Sequence, residues 1–235
     1  MGYSLIERSI RKIKNNIVWP LTASIRRKKL NNTDFTIISN NCWGGCVYEY
    51  FGLRKNSPTI GSYFYASDYV KFVKNLKYYT SFPIEMISAE ESKFYDLLKG
   101  KGEQDVPVGK LDDIEIIFLH YKDPEIAREK WNRRCKRINW DNIIYKFSYM
   151  NECTDSDILS FADATRGKKR VILTKRKIEG VTDCTVLSSR ACGDAKSAGS
   201  ENGQISDDTF YFYKEINLID LINSTVLPIL PQTVE

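Results

Sequence analysis

No run of 18 consecutive apolar residues occurs in the chain, so the sequence predicts no transmembrane helix. The opening residues lack the continuous apolar stretch and the small-residue cleavage site of a secretory signal. The six cysteines do not form two paired C-x-x-C motifs, which argues against a zinc ribbon. A disulfide scaffold is not expected in a chain this long without an export signal. Histidine occurs once, and neither a metal site nor an internal repeat is predicted.

Apolar and aromatic residues are abundant by contrast. The 235 residues are 42% hydrophobic and include 14 tyrosines, 11 phenylalanines and four tryptophans, enough for one sizeable core. From residue 34 onward, short apolar runs alternate with segments of helical periodicity. This alternation predicts an α/β fold with a mixed, mostly parallel sheet and helices on both faces. The predicted single domain covers residues 34–224, and a loose tail covers 225–235.

The same patterns predict the individual elements. Strands are expected at 35–39, 59–65, 83–87, 106–111, 114–120, 143–147, 170–174, 185–187 and 210–213. Helices are expected at 45–53, 67–76, 88–98, 124–138, 156–164 and 214–222. The Ser/Gly/Asp-rich stretch 193–208 is typical of a mobile loop.

Residues 1–33 form a basic leader. They hold eight Lys or Arg residues and one acid, whereas the rest of the chain has a net charge of −2. Ile6, Ile10, Ile13 and Ile17 recur every three or four residues, which predicts an amphipathic helix. Two interpretations stay open: the helix lies on an anionic membrane surface through residues 1–30, or it packs on the body through its isoleucine stripe. No basic and aromatic platform continues into the body, so nucleic acid is not expected as a partner.

The turn at residues 39–45 is a candidate wall of a functional site. It leads from an apolar strand into a helix through two amides, a thiol and two glycines, a common arrangement at ligand sites of α/β proteins. The amides are suited to hold an oxyanion or sugar hydroxyls, and the glycines allow close backbone approach. Cys42 is either a nucleophile or a small apolar filler. The substrate-binding residues proposed here are Ser39, Asn40, Asn41, Gly44 and Gly45.

His120 lies where the predicted strand 114–120 ends, a position at which α/β sheets place functional groups. Histidine changes charge near neutral pH and suits general base catalysis, although a purely structural role is the alternative. Asp113 belongs to an acidic cluster at the start of the same strand and is a candidate to orient the imidazole.

The helix predicted at 124–138 carries a cationic face. Such a face either binds a phosphate or an acidic sugar, or is a solvated surface that pairs with neighbouring glutamates. The residues proposed to bind substrate are Lys130, Arg133, Arg134, Arg137 and Asn139 in the following turn.

Three groups of residues resemble one protein family in order and spacing. They are 38–45 with 58–59, Phe64 and 68–69; 107–116 with 120–121; and Ala127, 130–131, 133–134, 137–139 and 141–142. Over residues 34–222, the chain resembles the bacterial exopolysaccharide-biosynthesis family of unknown function. That family is a single α/β domain found in capsule, exopolysaccharide and lipopolysaccharide loci, and some members are described as acetyltransferases.

The resemblance implies work on a glycan precursor or a lipid-linked sugar in surface polysaccharide biosynthesis. Transfer of an acyl group to a sugar hydroxyl is favoured, with His120, Cys42 and Asp113 as the catalytic candidates. No cofactor is expected, apart from acetyl-CoA as the candidate donor. The alternatives are a glycosyl or sugar-phosphate transferase and a non-enzymatic assembly protein. The expected location is the cytoplasm, peripheral on the inner face of the cytoplasmic membrane.

Overall fold

The described residues of the computed structural model are 4–189, 191–192 and 203–225. Their helices are α1 (Leu5–Ile13), α2 (Trp19–Arg27), α3 (Trp43–Phe51), α4 (Ala66–Lys74), α5 (Leu76–Ser81), α6 (Tyr95–Lys101), α7 (Pro124–Cys135), α8 (Asp155–Ala164), α9 (Phe212–Glu215) and α10 (Leu218–Asn223). Their strands are β1 (Thr36–Ser39), β2 (Glu85–Ile87), β3 (Val108–Leu111), β4 (Ile114–Ile117), β5 (Ile143–Ser148), β6 (Lys169–Thr174) and β7 (Cys184–Val186). Most of the predicted loop 193–208 and of the tail 225–235 lies outside these residues.

Two sheets form the centre of the fold. A parallel sheet has the strand order β1-β5-β6-β7, and an antiparallel sheet has the order β2-β3-β4. The continuous apolar runs of β1 and β5 are buried because helices cover parallel strands on both faces. The prediction of a mixed α/β fold is confirmed, and β3 and β4 form the predicted hairpin.

Several predicted elements differ from the structure for local reasons. The stretch 59–65 is not a strand, because Gly61 adopts a left-handed conformation with φ of 79°. The helix predicted at 88–98 divides into a 3-10 turn, Ala89–Glu91, and α6. The strand predicted at 210–213 is wrong, because Phe212 begins the short helix α9 and packs inward. The predicted helix 214–222 begins later, at Leu218.

The leader is one long helix, in which a π-helical turn, Lys14–Val18, joins α1 to α2. It packs on the body through Trp19, whose ring meets Tyr50, Phe212 and Tyr213 edge-on at centroid distances of 5.3, 5.7 and 5.5 Å. The isoleucine stripe lies on the exposed side, so packing of the helix through that stripe is wrong. None of the helices within the described ranges is long and apolar enough to cross a membrane.

Candidate functional site

A short extended strap, residues 61–64, connects the carboxyl end of β1 to the end of β4. Its last amide donates to the carbonyl of Asn40 at 3.0 Å. Tyr63 exchanges two backbone hydrogen bonds with Ile117, each 2.9 Å long. The amide of His120, three residues beyond β4, donates to the first carbonyl of the strap at 3.1 Å. The strap therefore brings the histidine loop next to the turn at 39–45.

Two cavities meet at this junction and share Cys42 and His120 as lining residues. We call the first, of about 490 Å³, the polar cavity, and the second, of about 450 Å³, the cationic cavity. The side chain of His120 is exposed to solvent, and Cys42 is half-buried. The structure thus brings these two predicted residues together with Arg134, which lines the cationic cavity.

The cationic cavity is lined by Lys55, Lys130 and Arg134, with Glu49 as its acid. Lys55 pairs with Glu49 at 2.6 Å. The guanidinium of Arg134 is fixed by hydrogen bonds from Nη1 to the carbonyl of Ile60, at 2.9 Å, and to the hydroxyl of Tyr121, at 2.6 Å. Two lysines and one held arginine around a single acid make this cavity suited to an anion.

A cluster of arginines lies beside this cavity. Desolvation lowers the pKa of Arg137, and repulsion from Arg54, Arg133 and Arg134 lowers it further. Arg133 pairs with Glu129 on the exposed side of α7, at 3.3 Å. Neither Arg133 nor Arg137 lines the cationic cavity, so they add positive potential rather than direct contacts.

The polar cavity carries a different set of groups. The hydroxyl of Tyr63 donates to Glu103 at 2.6 Å, and the ammonium of Lys101 donates to Asn151 at 3.2 Å. Burial lowers the pKa of Lys101, whose ammonium also lies 4.9 Å from the centre of the Tyr63 ring. Asn151 and Glu152 both have positive φ, 57° and 61°. The left-handed conformation is common for asparagine but uncommon for glutamate, and uncommon backbone conformations of this kind cluster at functional sites.

A buried ion pair supports the floor of the site. Lys146 of β5 is fully buried and pairs with Asp208, which also accepts a hydrogen bond from the hydroxyl of Ser148. The ammonium donates to Oδ1 of Asn41 at 2.7 Å and lies 5.9 Å from the centre of the Trp43 ring. Burial lowers the pKa of Lys146, and the carboxylate of Asp208 opposes that shift. This pair was not predicted from the sequence, although a lysine inside the apolar run 143–148 was a signal of a buried charge.

The polar side chains of the turn hold the fold together, and Asn41 also lines the polar cavity. Asn40 joins β1 to β5 by donating to the carbonyl of Ser148 at 3.0 Å and accepting from its amide at 3.1 Å. Asn41 donates to Asp208 at 2.8 Å, and its Oδ1 accepts from the hydroxyl of Ser39 at 3.1 Å. All three side chains are buried, so the predicted oxyanion donors are already engaged.

The match to a protein family covers both cavities. A family model described as "Domain of unknown function (DUF1919)" matches residues 13–210 of the 235. The chain belongs to the DUF1919 family. It is also 28% identical over 195 residues to an uncharacterized protein of Haemophilus influenzae (strain ATCC 51907 / DSM 11121 / KW20 / Rd). That alignment covers 81% of this chain and 88% of the relative.

In this DUF1919 chain the two glycines of the turn differ, and only Gly44 is required for packing. A Cβ on Gly44 would lie 3.0 Å from Cγ2 of Ile37, so the glycine lets α3 approach β1 closely. A Cβ on Gly45 would lie 3.6 Å from the side chain of Ile60, which is ordinary contact. Gly45 does line the cationic cavity, so its small size also shapes that space.

Two predicted site residues lie away from the cavities of the DUF1919 domain. Asp113 precedes β4, whereas His120 follows it, so the strand separates them. Asp113 accepts from Lys71 and from the hydroxyl of Tyr79, both at 2.6 Å, and these bonds lower its pKa. Asn139 donates from its backbone to Thr36 at 2.8 Å, at the amino end of β1. Neither residue is placed to contact the imidazole or a ligand in the cavities.

Cys42 is expected to be a slow nucleophile. Burial, followed by the nearby carboxylate of Asp208, raises the pKa of Cys42 to about 11. At pH 7 the thiolate fraction is therefore about one in ten thousand, and alkylation by iodoacetamide should speed up about tenfold per pH unit between pH 7 and 9. Mass spectrometry of the Cys42 peptide measures this rate, with N-acetylcysteine as the reference thiol. Labelling at pH 7 as fast as the reference would contradict the raised pKa.

Among the described side chains, no three His, Cys, Asp or Glu residues are grouped so that they could hold a metal ion.

Proposed function

We propose that this protein transfers an acyl group, with acetyl as the first candidate, to a hydroxyl of a surface-polysaccharide precursor. The observation that carries the proposal is the position of His120 in the wall shared by the cationic and polar cavities. Two separate cavities with one shared reactive wall suit a transfer between two substrates. The resemblance to exopolysaccharide-biosynthesis proteins supports a glycan as the acceptor.

The cationic cavity suits the donor. Acetyl-CoA carries a pyrophosphate and a ribose phosphate, and Lys55, Lys130 and Arg134 supply positive charge for such groups. The fixed guanidinium of Arg134 needs little reordering before it binds. A donor held there would direct its acyl group toward the shared wall at Cys42 and His120.

The polar cavity suits a sugar. Its volume of about 490 Å³ lies within the range of small-molecule sites. Glu103 and Asn151 offer oxygens that accept from sugar hydroxyls. Lys101 and Gln204 add donors to the same lining.

His120 acts as the general base in this proposal. It removes the proton of the acceptor hydroxyl while the oxygen attacks the acyl carbonyl carbon. The new C–O ester bond forms, the C–S bond to the donor breaks, and the proton passes from the imidazole to the departing thiolate. The raised pKa of Cys42 favours this direct transfer over an acyl-cysteine intermediate, because the thiol stays protonated.

Lys130→Gln tests the assignment of the donor cavity. With purified protein, acetyl-CoA and an extract of glycan precursors, we expect KM for the donor to rise about tenfold while kcat changes little, because one phosphate contact is lost. Arg133→Gln is the matched control, since Arg133 lies on the same helix, does not line the cavity and is already paired with Glu129. We expect its KM to stay within about twofold of the wild type.

Mass analysis of the surface glycan tests the reaction class. A strain without the gene should lose acetyl groups from an otherwise complete glycan, and the wild-type gene should restore them. Loss of a sugar residue instead would refute acyl transfer and support a glycosyl or sugar-phosphate transferase. An unchanged glycan composition would refute both enzymatic proposals.

A further inference from the structure

The outer side of the N-terminal helix carries a continuous apolar stripe. Eight of the 14 large apolar side chains that are exposed within the described residues belong to this one helix: Leu5, Ile6, Ile10, Ile13, Ile17, Val18, Leu21 and Ile25. Leu21 is 75% exposed and Ile25 is 61% exposed. Single exposed apolar residues are ordinary, but such a concentration on one element indicates a contact surface.

The π-helical turn keeps this stripe on one side of the helix. Ile6, Ile10, Ile13 and Ile17 repeat every three or four residues, the spacing of one helical face. In a regular α-helix, the apolar residues after Ile17 would point progressively toward the body. The π-helical turn Lys14–Val18 contains more residues per turn, and this difference keeps the later apolar residues on the outer side. The stripe therefore continues into α2 through its exposed apolar residues.

The opposite side of the helix is firmly attached to the body. Arg26 donates to the carbonyl of Tyr50 at 2.7 Å, and Arg27 donates to the carbonyl of Gly52 at 2.9 Å. Arg11 donates to Thr209 at 3.0 Å. Because these bonds and the Trp19 contacts fix the helix, it presents its stripe in one orientation rather than as a free arm.

Positive charges lie beside the stripe and just beyond its carboxyl end. Arg8 and Lys12 are exposed in α1, and Lys28 and Lys29 are exposed just after α2. We propose that this face docks the protein on an anionic membrane surface, with the stripe among the acyl chains and the basic residues near the headgroups. A second copy of the chain fits less well, because pairing two such faces would bring like charges together.

The docked helix would lie next to the polar cavity. Arg11, which holds α1 to the body, contacts Thr209 and pairs with Asp207 at 3.6 Å, and both partners line that cavity. Resting on the proposed function, this placement favours an acceptor sugar carried on a lipid, since such an acceptor stays at the membrane surface. Docking itself does not depend on the enzymatic activity.

Vesicle co-sedimentation of the full chain tests the docking. We compare vesicles of phosphatidylcholine alone with vesicles that also contain phosphatidylglycerol, and we expect binding to the anionic vesicles that weakens as salt increases. The double variant Ile13→Gln/Leu21→Gln should lower the partition coefficient about tenfold or more. Lys12→Gln/Lys28→Gln should also lower it about tenfold, on anionic vesicles only. Both pairs are exposed, so their urea unfolding midpoints should match the wild type.

Leu159→Gln in α8 is the matched control, because Leu159 is also an exposed apolar helix residue, at 43%. It should bind vesicles like the wild type. The proposal is overturned if the wild type binds neither kind of vesicle, or if Leu159→Gln weakens binding as much as the stripe variant. A change from dimer to monomer in the stripe variant, without vesicle binding by the wild type, would assign the face to a second copy.

Discussion

Replacing Asp208 with Ala should lower the free energy of unfolding by about 3–5 kcal/mol. The substitution leaves the ammonium of Lys146 fully buried without its carboxylate, and an uncompensated buried charge is strongly destabilising. It also removes the acceptor for Ser148 and for the amide of Asn41. Urea denaturation followed by tryptophan fluorescence measures the change.

A double variant separates the loss of pairing from the loss of the side chain. Lys146→Met/Asp208→Leu replaces both charges with apolar groups, so it should recover the part of the loss that comes from the uncompensated charge. Ser148 and Asn41 still lack their acceptor, so the double variant should remain less stable than the wild type. Asp163→Ala is the control, because Asp163 pairs with Arg166 on the exposed surface of α8 and should contribute little. If Asp208→Ala were as mild as Asp163→Ala, the buried pair would not be an important source of stability.

The buried pair also connects stability to the site. Asp208 lies in the segment that contributes Ile205 and Asp207 to the polar cavity, and its contact with Lys146 holds that segment against the end of β5. Loss of the pair should therefore loosen one wall of the cavity as well as the core. Burying the charge of Lys146 is costly, but the resulting ion pair fixes this wall of the cavity.

Local pattern was enough to predict much of the fold. The capped start of α7 at Pro124 and the hairpin of β3 and β4 each follow from residues adjacent in sequence. The turn after β1 was also predicted to lie at the site, and the cavities lie beside it. Each of these features depends on a few residues that are close together in the chain, so a single sequence is enough to predict it.

Contacts between distant segments could not be predicted in this way. The strap at 61–64 places His120 near Cys42, although its sequence indicated an ordinary strand. The Lys146–Asp208 pair joins positions 62 residues apart. The expected contact between Asp113 and the imidazole of His120 was wrong, because the two residues lie at opposite ends of β4.

The second large effect is expected from His120→Gln, which should lower kcat for acyl transfer about 10²–10⁴-fold because glutamine cannot accept the hydroxyl proton. KM for the donor should change little, since the donor phosphates are assigned to Lys55, Lys130 and Arg134 rather than to His120. Its exposed side chain also makes a change in stability small, and equal unfolding midpoints would establish that the loss is chemical.

Cys42→Ser is the matched variant in the same wall, and a protonated thiol predicts a loss below about tenfold. The reverse pattern, a severe loss in Cys42→Ser and a mild one in His120→Gln, would assign the transfer to an acyl-cysteine and remove the base role from His120.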